Sequence, residues 1–148
     1  MRPVALIFRL ARMDPRRRRL LAEALVELMR ASAVIAFAPF RRAVAFGSRP
    51  LGRAEPTSAE AAETIATVRW SVEAVAARVP WRTVCFQMGL ALQRMLRRRG
   101  IPAQLYYGIG KATDGKLQAH VWVAADQAIA IGGESAARFA TVAVFPAV

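Results

Sequence analysis

Cysteine and histidine are the scarcest reactive residues of this 148-residue chain, which has one of each, Cys85 and His120. A single cysteine excludes an internal disulfide, and one sulfur with one imidazole supplies too few ligands for a structural zinc site. The sequence also lacks a phosphate-binding loop and a dinucleotide-binding fingerprint. We therefore predict no cofactor, no metal site, and a reducing, cytoplasmic location.

Long uninterrupted apolar runs are also missing. The most apolar stretch, residues 20–40, includes Glu23 and Glu27, and each charge placed at mid-bilayer would cost roughly 2.5 to 3.5 kcal/mol. The apolar N-terminal stretch is broken by Arg9 and Arg12 and is followed by no small-residue cleavage site, so it does not predict a secretion signal. We expect no integral membrane segment.

Acidic residues are few, with 10 against 22 basic residues and a formal net charge of +12. Nearly all the basic residues are arginines, and they gather in runs at residues 16–19, 41–42 and 97–99. Such a surplus attracts anionic partners, while each run is also compatible with a solvated helix end. Nucleic acid is disfavoured as a partner because the aromatic residues do not alternate with basic ones, as a base-stacking surface requires.

Hydrophobic periodicity predicts helices in the first two thirds of the chain. We expect Asp14 to cap the first helix, Ser58 to cap the second, and Gly100 to end the third. The predicted helices span about residues 15–38, 58–79 and 83–99.

Beyond Pro102 the pattern changes to short β-rich runs at residues 104–109, 117–124 and 128–131. Helices followed by an antiparallel meander predict an α+β fold. Glycines and prolines mark a linker, so the chain is divided into an N-terminal helical region, the linker and a core, at residues 1–46, 47–57 and 58–148.

Cys85 and His120 form a chemically coherent pair. Cys85 lies in the first turn of the third predicted helix, where unpaired N–H groups stabilise a thiolate and can hold an oxyanion. His120 lies in the middle of a predicted strand. A cysteine peptidase needs an imidazole that takes the thiol proton and later gives it to the leaving amine. Each residue alone is more often a packed core residue, but together they indicate a nucleophile and its base.

Two segments resemble a known family. Residues 84–103, VCFQMGLALQRMLRRRGIPA, resemble the nucleophile helix of the B2 proteins of lasso-peptide biosynthesis, and residues 119–123, AHVWV, resemble their histidine strand. The step Pro39-Phe40-Arg41 fits the end of their arginine-rich helical N-terminus. The resemblance implies a transglutaminase/papain-like core, in which the nucleophile helix packs on a small antiparallel sheet.

The same resemblance implies an activity and partners. The B2 proteins are cysteine peptidases that remove the leader from a ribosomally made lasso precursor peptide. A separate leader-recognition protein and an ATP-dependent lasso cyclase are then the expected partners, in addition to the precursor's leader region.

The third catalytic member of that family is an acidic residue about a dozen positions beyond the histidine, where this chain reads Ile131-Gly132-Gly133-Glu134. A two-residue turn at Asp126–Gln127 would place His120 opposite Gly133. Glu134, one position farther, is therefore the candidate third member. A backbone carbonyl or a water that holds the imidazole is the alternative.

Two other functions fit the same residues. The chain could be a basic, non-catalytic binding protein for nucleic acid or an anionic membrane, in which Cys85 and His120 only pack. It could also be a transamidase on the same fold, because an amine can intercept a cysteine acyl-enzyme. The leader peptidase is the leading prediction.

Overall fold

Helices precede a small antiparallel sheet, as the sequence predicts. The computed structural model describes residues 11–50, 52 and 56–146. Its helices are α1 (Pro15–Phe37), α2 (Phe40–Gly47), α3 (Ser58–Ala76) and α4 (Cys85–Arg98). The strands are β1 (Ala103–Lys111), β2 (Leu117–Ala125), β3 (Ala128–Ile131) and, after a 3-10 helix at Gly133–Arg138, β4 (Ala140–Phe145). The strand order β3-β2-β1-β4 and its antiparallel pairing confirm the α+β prediction.

Side-chain hydrogen bonds cap the starts of α1 and α3. The carboxylate of Asp14 accepts a hydrogen bond from the Arg16 N–H at 2.9 Å, as predicted for the start of α1. The prediction that Ser58 caps α3 is wrong. Thr57 is the cap, because its hydroxyl accepts from the Glu60 N–H while the Glu60 carboxylate accepts from the Thr57 N–H at 2.9 Å.

Helix α4 is the centre of the fold. It packs against α1 and α3 on one side and against β1 and β2 on the other. Gly89 permits the close approach to the sheet, because a Cβ atom there would lie 3.1 Å from Cγ1 of Val121. The fully buried side chains of α4 include Leu90, Leu92, Met95 and Leu96. Helices from both sides of residues 47–57 thus share one core, and the three-part division of the chain stays a prediction.

A buried amide ties α4 to two strands. Nε2 of Gln93 donates to the carbonyl of Ala103 at the start of β1, at 3.2 Å, and to that of Phe145 at the end of β4, at 2.7 Å. These bonds satisfy backbone carbonyls inside the protein, where an unpaired carbonyl would be costly. They fix the position of α4 along the sheet.

The arginine run at the end of α4 is bound within the protein. Arg98 pairs with Glu23 and Glu27 of α1, and Arg99 pairs with Glu23. Arg97 donates instead to the backbone carbonyl of Arg49, at 2.6 Å. This run is therefore not a solvated helix end, which was one of the two interpretations that the sequence allowed.

Glu27 is the buried centre of this ion-pair network, with a side chain only 1% exposed. Arg94 donates to it at 2.8 Å and also contacts the ring of Phe46. Burial disfavours the charged carboxylate, but the hydrogen bonds and charges of Arg98 and Arg94 outweigh that effect and lower the pKa of Glu27. The network joins α1 to the helix that carries Cys85.

The hairpin between β2 and β3 differs from the prediction in its register. The two-residue turn is confirmed, since Asp126 and Gln127 both have positive φ and the residues that flank them pair. However, Val123 pairs with Ile131 although Ala124 pairs with Ile129, so one extra residue bulges from β3. The simple register that set His120 opposite Gly133 is therefore wrong.

Strand β4 and helix α2 are short, and the sequence analysis did not predict them. No helix among the described residues is both long and apolar enough to cross a bilayer.

Candidate active site

Cys85 is the first residue of α4, and its side chain is half-buried against the core. The N-cap is Val84, whose side chain has no hydrogen-bond acceptor. The carboxamide oxygen of Gln87 accepts from the Val84 N–H at 2.9 Å, just outside the helix. The first-turn N–H groups have no acceptor within the helix, so they can stabilise a thiolate at Cys85 or an oxyanion beside it.

His120 lies on β2, and its ring is held by a backbone carbonyl. Nε2 lies 2.8 Å from the carbonyl oxygen of Gly132. Because a carbonyl only accepts, Nε2 must carry the proton, and in the neutral ring Nδ1 then has a free lone pair. This contact selects the tautomer in which Nδ1 can act as a base.

Aromatic rings pack around the imidazole. The ring centroid of His120 lies 4.9 Å from that of Phe139 and 6.0 Å from that of Trp122. Two glycines of β1 leave the necessary space: a Cβ at Gly108 would lie 2.8 Å from the Trp122 ring, and one at Gly110 would lie 2.9 Å from the Phe139 ring. The sequence did not reveal Phe139, since nothing local marks that ring as a neighbour of His120.

Gly132 reaches the imidazole because β3 ends early. With its φ of +79°, Gly132 turns the chain out of the strand and into the 3-10 helix. A Cβ at this position would lie 2.8 Å from the carbonyl oxygen of Val121 on β2, so the backbones approach closely. The carbonyl of Gly132 is thereby directed at β2, where the ring of His120 contacts it.

Glu134 lies in the 3-10 helix with its side chain 81% exposed. Its carboxylate is 3.6 Å from Nη2 of Arg69 on α3, and Arg69 also binds Glu73 at 2.8 Å. The hydrogen bond that Arg69 donates to Glu73 raises the pKa of Arg69. Burial opposes this shift, and the charges of Glu73 and Glu134 add to it. A catalytic role for Glu134 stays a prediction, and its observed partner is an arginine.

The structure brings the helix of Cys85 and the strand of His120 together. Gly89, one turn after Cys85, rests on Val121, the residue after His120. Because neighbouring strand residues alternate in direction, the side chains of Val121 and His120 leave β2 on opposite faces. In the part of the chain that is described, no hydrogen bond joins the thiol to the imidazole. The catalytic pairing of Cys85 with His120 therefore stays a prediction.

The described residues include no group of three or more histidine, cysteine, aspartate or glutamate side chains that could hold a metal ion. The chemistry that the arrangement offers is that of a thiol at a helix N-terminus and of a tautomer-selected imidazole on the adjacent strand.

Comparison with known proteins identifies the domain. The chain matches no curated protein and no solved structure. A profile of the transglutaminase-like superfamily matches residues 24–144, and this range includes α4 with Cys85, β2 with His120 and most of α1. Members of this superfamily usually include cysteine-protease-like enzymes. Since the match extends over most of its length, the chain belongs to the transglutaminase-like superfamily.

Proposed function

We propose that this protein is a cysteine peptidase that removes the leader from a lasso precursor peptide. The observation that supports it best is the position of Cys85 at the start of α4, in a transglutaminase-like domain whose adjacent strand carries His120. The leader and the lasso precursor come from the resemblance of residues 84–103 and 119–123 to the B2 proteins.

The reaction would proceed through a thioester. Nδ1 of His120 takes the thiol proton as Sγ of Cys85 bonds to the scissile carbonyl carbon, and the carbonyl π electrons move to oxygen. First-turn N–H groups of α4 stabilise that oxyanion. When the C–N bond breaks, the imidazolium gives its proton to the leaving amine. Water then attacks the thioester, loses a proton to His120, and releases the leader as a carboxylic acid with the free thiol.

The carbonyl of Gly132 would stabilise the imidazolium that forms twice in this cycle. It accepts from Nε2 at 2.8 Å and thus supports the charged ring without a carboxylate. Because the imidazole leaves β2 on the face opposite to Val121, which packs on α4, the mechanism also requires the ring to move to the thiol in the substrate complex.

The arginine run at residues 97–99 does not favour the alternative of a basic, non-catalytic binding protein, whereas the exposed runs at residues 16–19 and 41–42 are compatible with it. Arg98 and Arg99 are paired with carboxylates of α1, so this run is not free to bind phosphate. The two partners that the resemblance implies, a leader-recognition protein and an ATP-dependent lasso cyclase, belong to the proposal.

Mass spectrometry of a lasso precursor incubated with the protein and a leader-recognition protein tests this function. We expect wild type to release the intact leader, Cys85→Ala to release none, and the chain without the recognition protein to cleave poorly. Equal cleavage by wild type and Cys85→Ala would refute the peptidase. With added hydroxylamine, a leader hydroxamate would reveal the thioester, and a stable amide formed with a simple amine in place of the acid would indicate a transamidase.

A further inference from the structure

An apolar groove lies between α1 and α3 and is also lined by the segment that leads to α4. Its volume is about 1100 Å³, whereas small-molecule pockets are commonly about 300 to 1,000 Å³. Its size is thus suited to several residues of a peptide. The lining comes from α1, α3 and the segment that leads to α4, and includes Leu21, Leu25, Met29, Trp70, Val79 and Trp81.

Large hydrophobic side chains are left partly uncovered there. Leu25 is 39% exposed, Met29 53% and Trp70 39%. Contiguous apolar surface of this kind on a small protein commonly marks a binding site.

The charges at the groove rim favour an acidic occupant. Arg18 and Arg78 line it, and the guanidinium of Arg17 lies 5.6 Å from the ring centroid of Trp70. The one carboxylate in the lining, Glu73, is paired with Arg69 at 2.8 Å. The rim therefore presents a surplus of positive charge to whatever enters.

One wall of the groove is close to Cys85 in the sequence. Trp81 lies in its wall and precedes Cys85 by four residues. Even a fully extended segment of that length covers no more than roughly 14 Å at 3.3 to 3.6 Å per residue. A peptide in the groove would thus need only about four further residues to reach the thiol.

We propose that this groove binds an acidic, apolar segment of the substrate peptide close to the bond that is cut. The inference rests on the proposed peptidase function and adds to it a substrate class: apolar side chains at the groove floor and carboxylates opposite Arg17, Arg18 and Arg78. The affinity gained there holds the scissile bond near Cys85 and lowers KM.

Two matched pairs of neighbouring residues on α1 test the groove. Leu25 lines it and Val26 does not, although the two side chains are similarly exposed, at 39% and 43%. Arg18 lines it and Arg19 does not, and both are exposed. Positions 18 and 19 both lie near the start of α1, where a negative charge interacts favourably with the helix dipole, so glutamate at either position should be compatible with the helix.

Binding is measured without turnover, by fluorescence anisotropy on full-length Cys85→Ala protein. The probes are two fluorescein-labelled 14-residue peptides with the same leucines and phenylalanines and with either glutamate or lysine between them. We expect the glutamate peptide to bind at least tenfold more tightly than the lysine peptide. Leu25→Glu and Arg18→Glu should each weaken its binding at least fivefold, whereas Val26→Glu and Arg19→Glu should change it less than twofold.

Several outcomes would overturn the groove assignment. Equal binding of the two peptides, or equal effects within each matched pair, would exclude recognition by this surface. Binding of phosphatidylglycerol vesicles but of neither peptide would assign the groove to a membrane surface. A dimer that Leu25→Glu dissociates would assign it to a second copy of the chain.

Kinetics separate this inference from the proposed function. With a cleavable precursor, Leu25→Glu should raise KM at least fivefold and leave kcat within twofold, provided circular dichroism shows an unchanged fold. Unchanged KM in a protein that still cleaves would contradict the groove alone. Intact peptide binding in a protein that never cleaves would contradict the peptidase alone.

Discussion

Replacing Glu27 with glutamine tests whether the ion-pair network holds α1 on α4, the helix that begins at Cys85. The substitution keeps the volume of a side chain that is 1% exposed, but it removes the carboxylate that Arg94 and Arg98 share. Removing one partner of a buried ion pair costs about 3 to 5 kcal/mol. We expect the lower end, about 3 kcal/mol, because Arg98 keeps its contact with Glu23 at 2.8 Å.

Thermal and urea unfolding, followed by circular dichroism, measure this loss. For a domain of about this size each kcal/mol shifts Tm by about 2 to 4 °C, so Tm should fall by about 6 to 12 °C at pH 7. Asp114→Asn is the control. It breaks an exposed pair with Lys116 at 3.6 Å and should cost less than about 1 kcal/mol.

The pH dependence provides an independent check. The pKa of Glu27 is lower in the folded protein than in the unfolded chain, so its contribution is complete above its unfolded pKa and is lost as pH falls through the folded pKa. The stability difference between wild type and Glu27→Gln should therefore be constant near neutral pH and shrink below about pH 4. A loss under about 1 kcal/mol at pH 7, or a difference that does not change down to pH 3, would refute the reasoning.

Two further predictions concern the surroundings of His120. Gly108→Val places atoms within 3 Å of the Trp122 ring, so it should lower the free energy of unfolding in urea by about 1 to 3 kcal/mol and slow precursor cleavage. The control, Ile109→Ala, should leave the cleavage rate within twofold. A fully active Gly108→Val protein would argue against the packing described. Glu134→Gln should lower the cleavage rate less than about tenfold because its carboxylate pairs with Arg69; a loss near the 10⁴ typical of a triad acid would instead make Glu134 the third catalytic member.

The sequence predicted the elements that local chemistry determines. Asp14 followed by proline marked the start of α1, and Gly100 marked the end of α4, because caps and left-handed residues depend on a few neighbouring positions. The turn at Asp126–Gln127 was predicted for the same reason. Family resemblance, rather than spacing, indicated that the helix of Cys85 packs on an antiparallel sheet.

What the sequence could not predict depends on contacts between distant segments. A bulge in β3 has no sequence signature here, yet it moves the register by one residue and helps direct the Gly132 carbonyl to His120. The ion pairs of Arg98 and Arg99 could not be predicted either, because their partners Glu23 and Glu27 belong to a helix that is distant in sequence. The aromatic packing on His120 needs Phe139, which is far from it along the chain.

The central claim is that His120 activates Cys85, and the rate at which iodoacetamide alkylates the thiol measures this coupling most directly. Cys85 is the only cysteine, so incorporated label reports on one residue. Because the thiolate is the reactive form, we predict that at pH 7 wild type is alkylated at least tenfold faster than His120→Ala, with both proteins folded by circular dichroism. Equal alkylation rates in the two proteins between pH 6 and 8 would contradict the account.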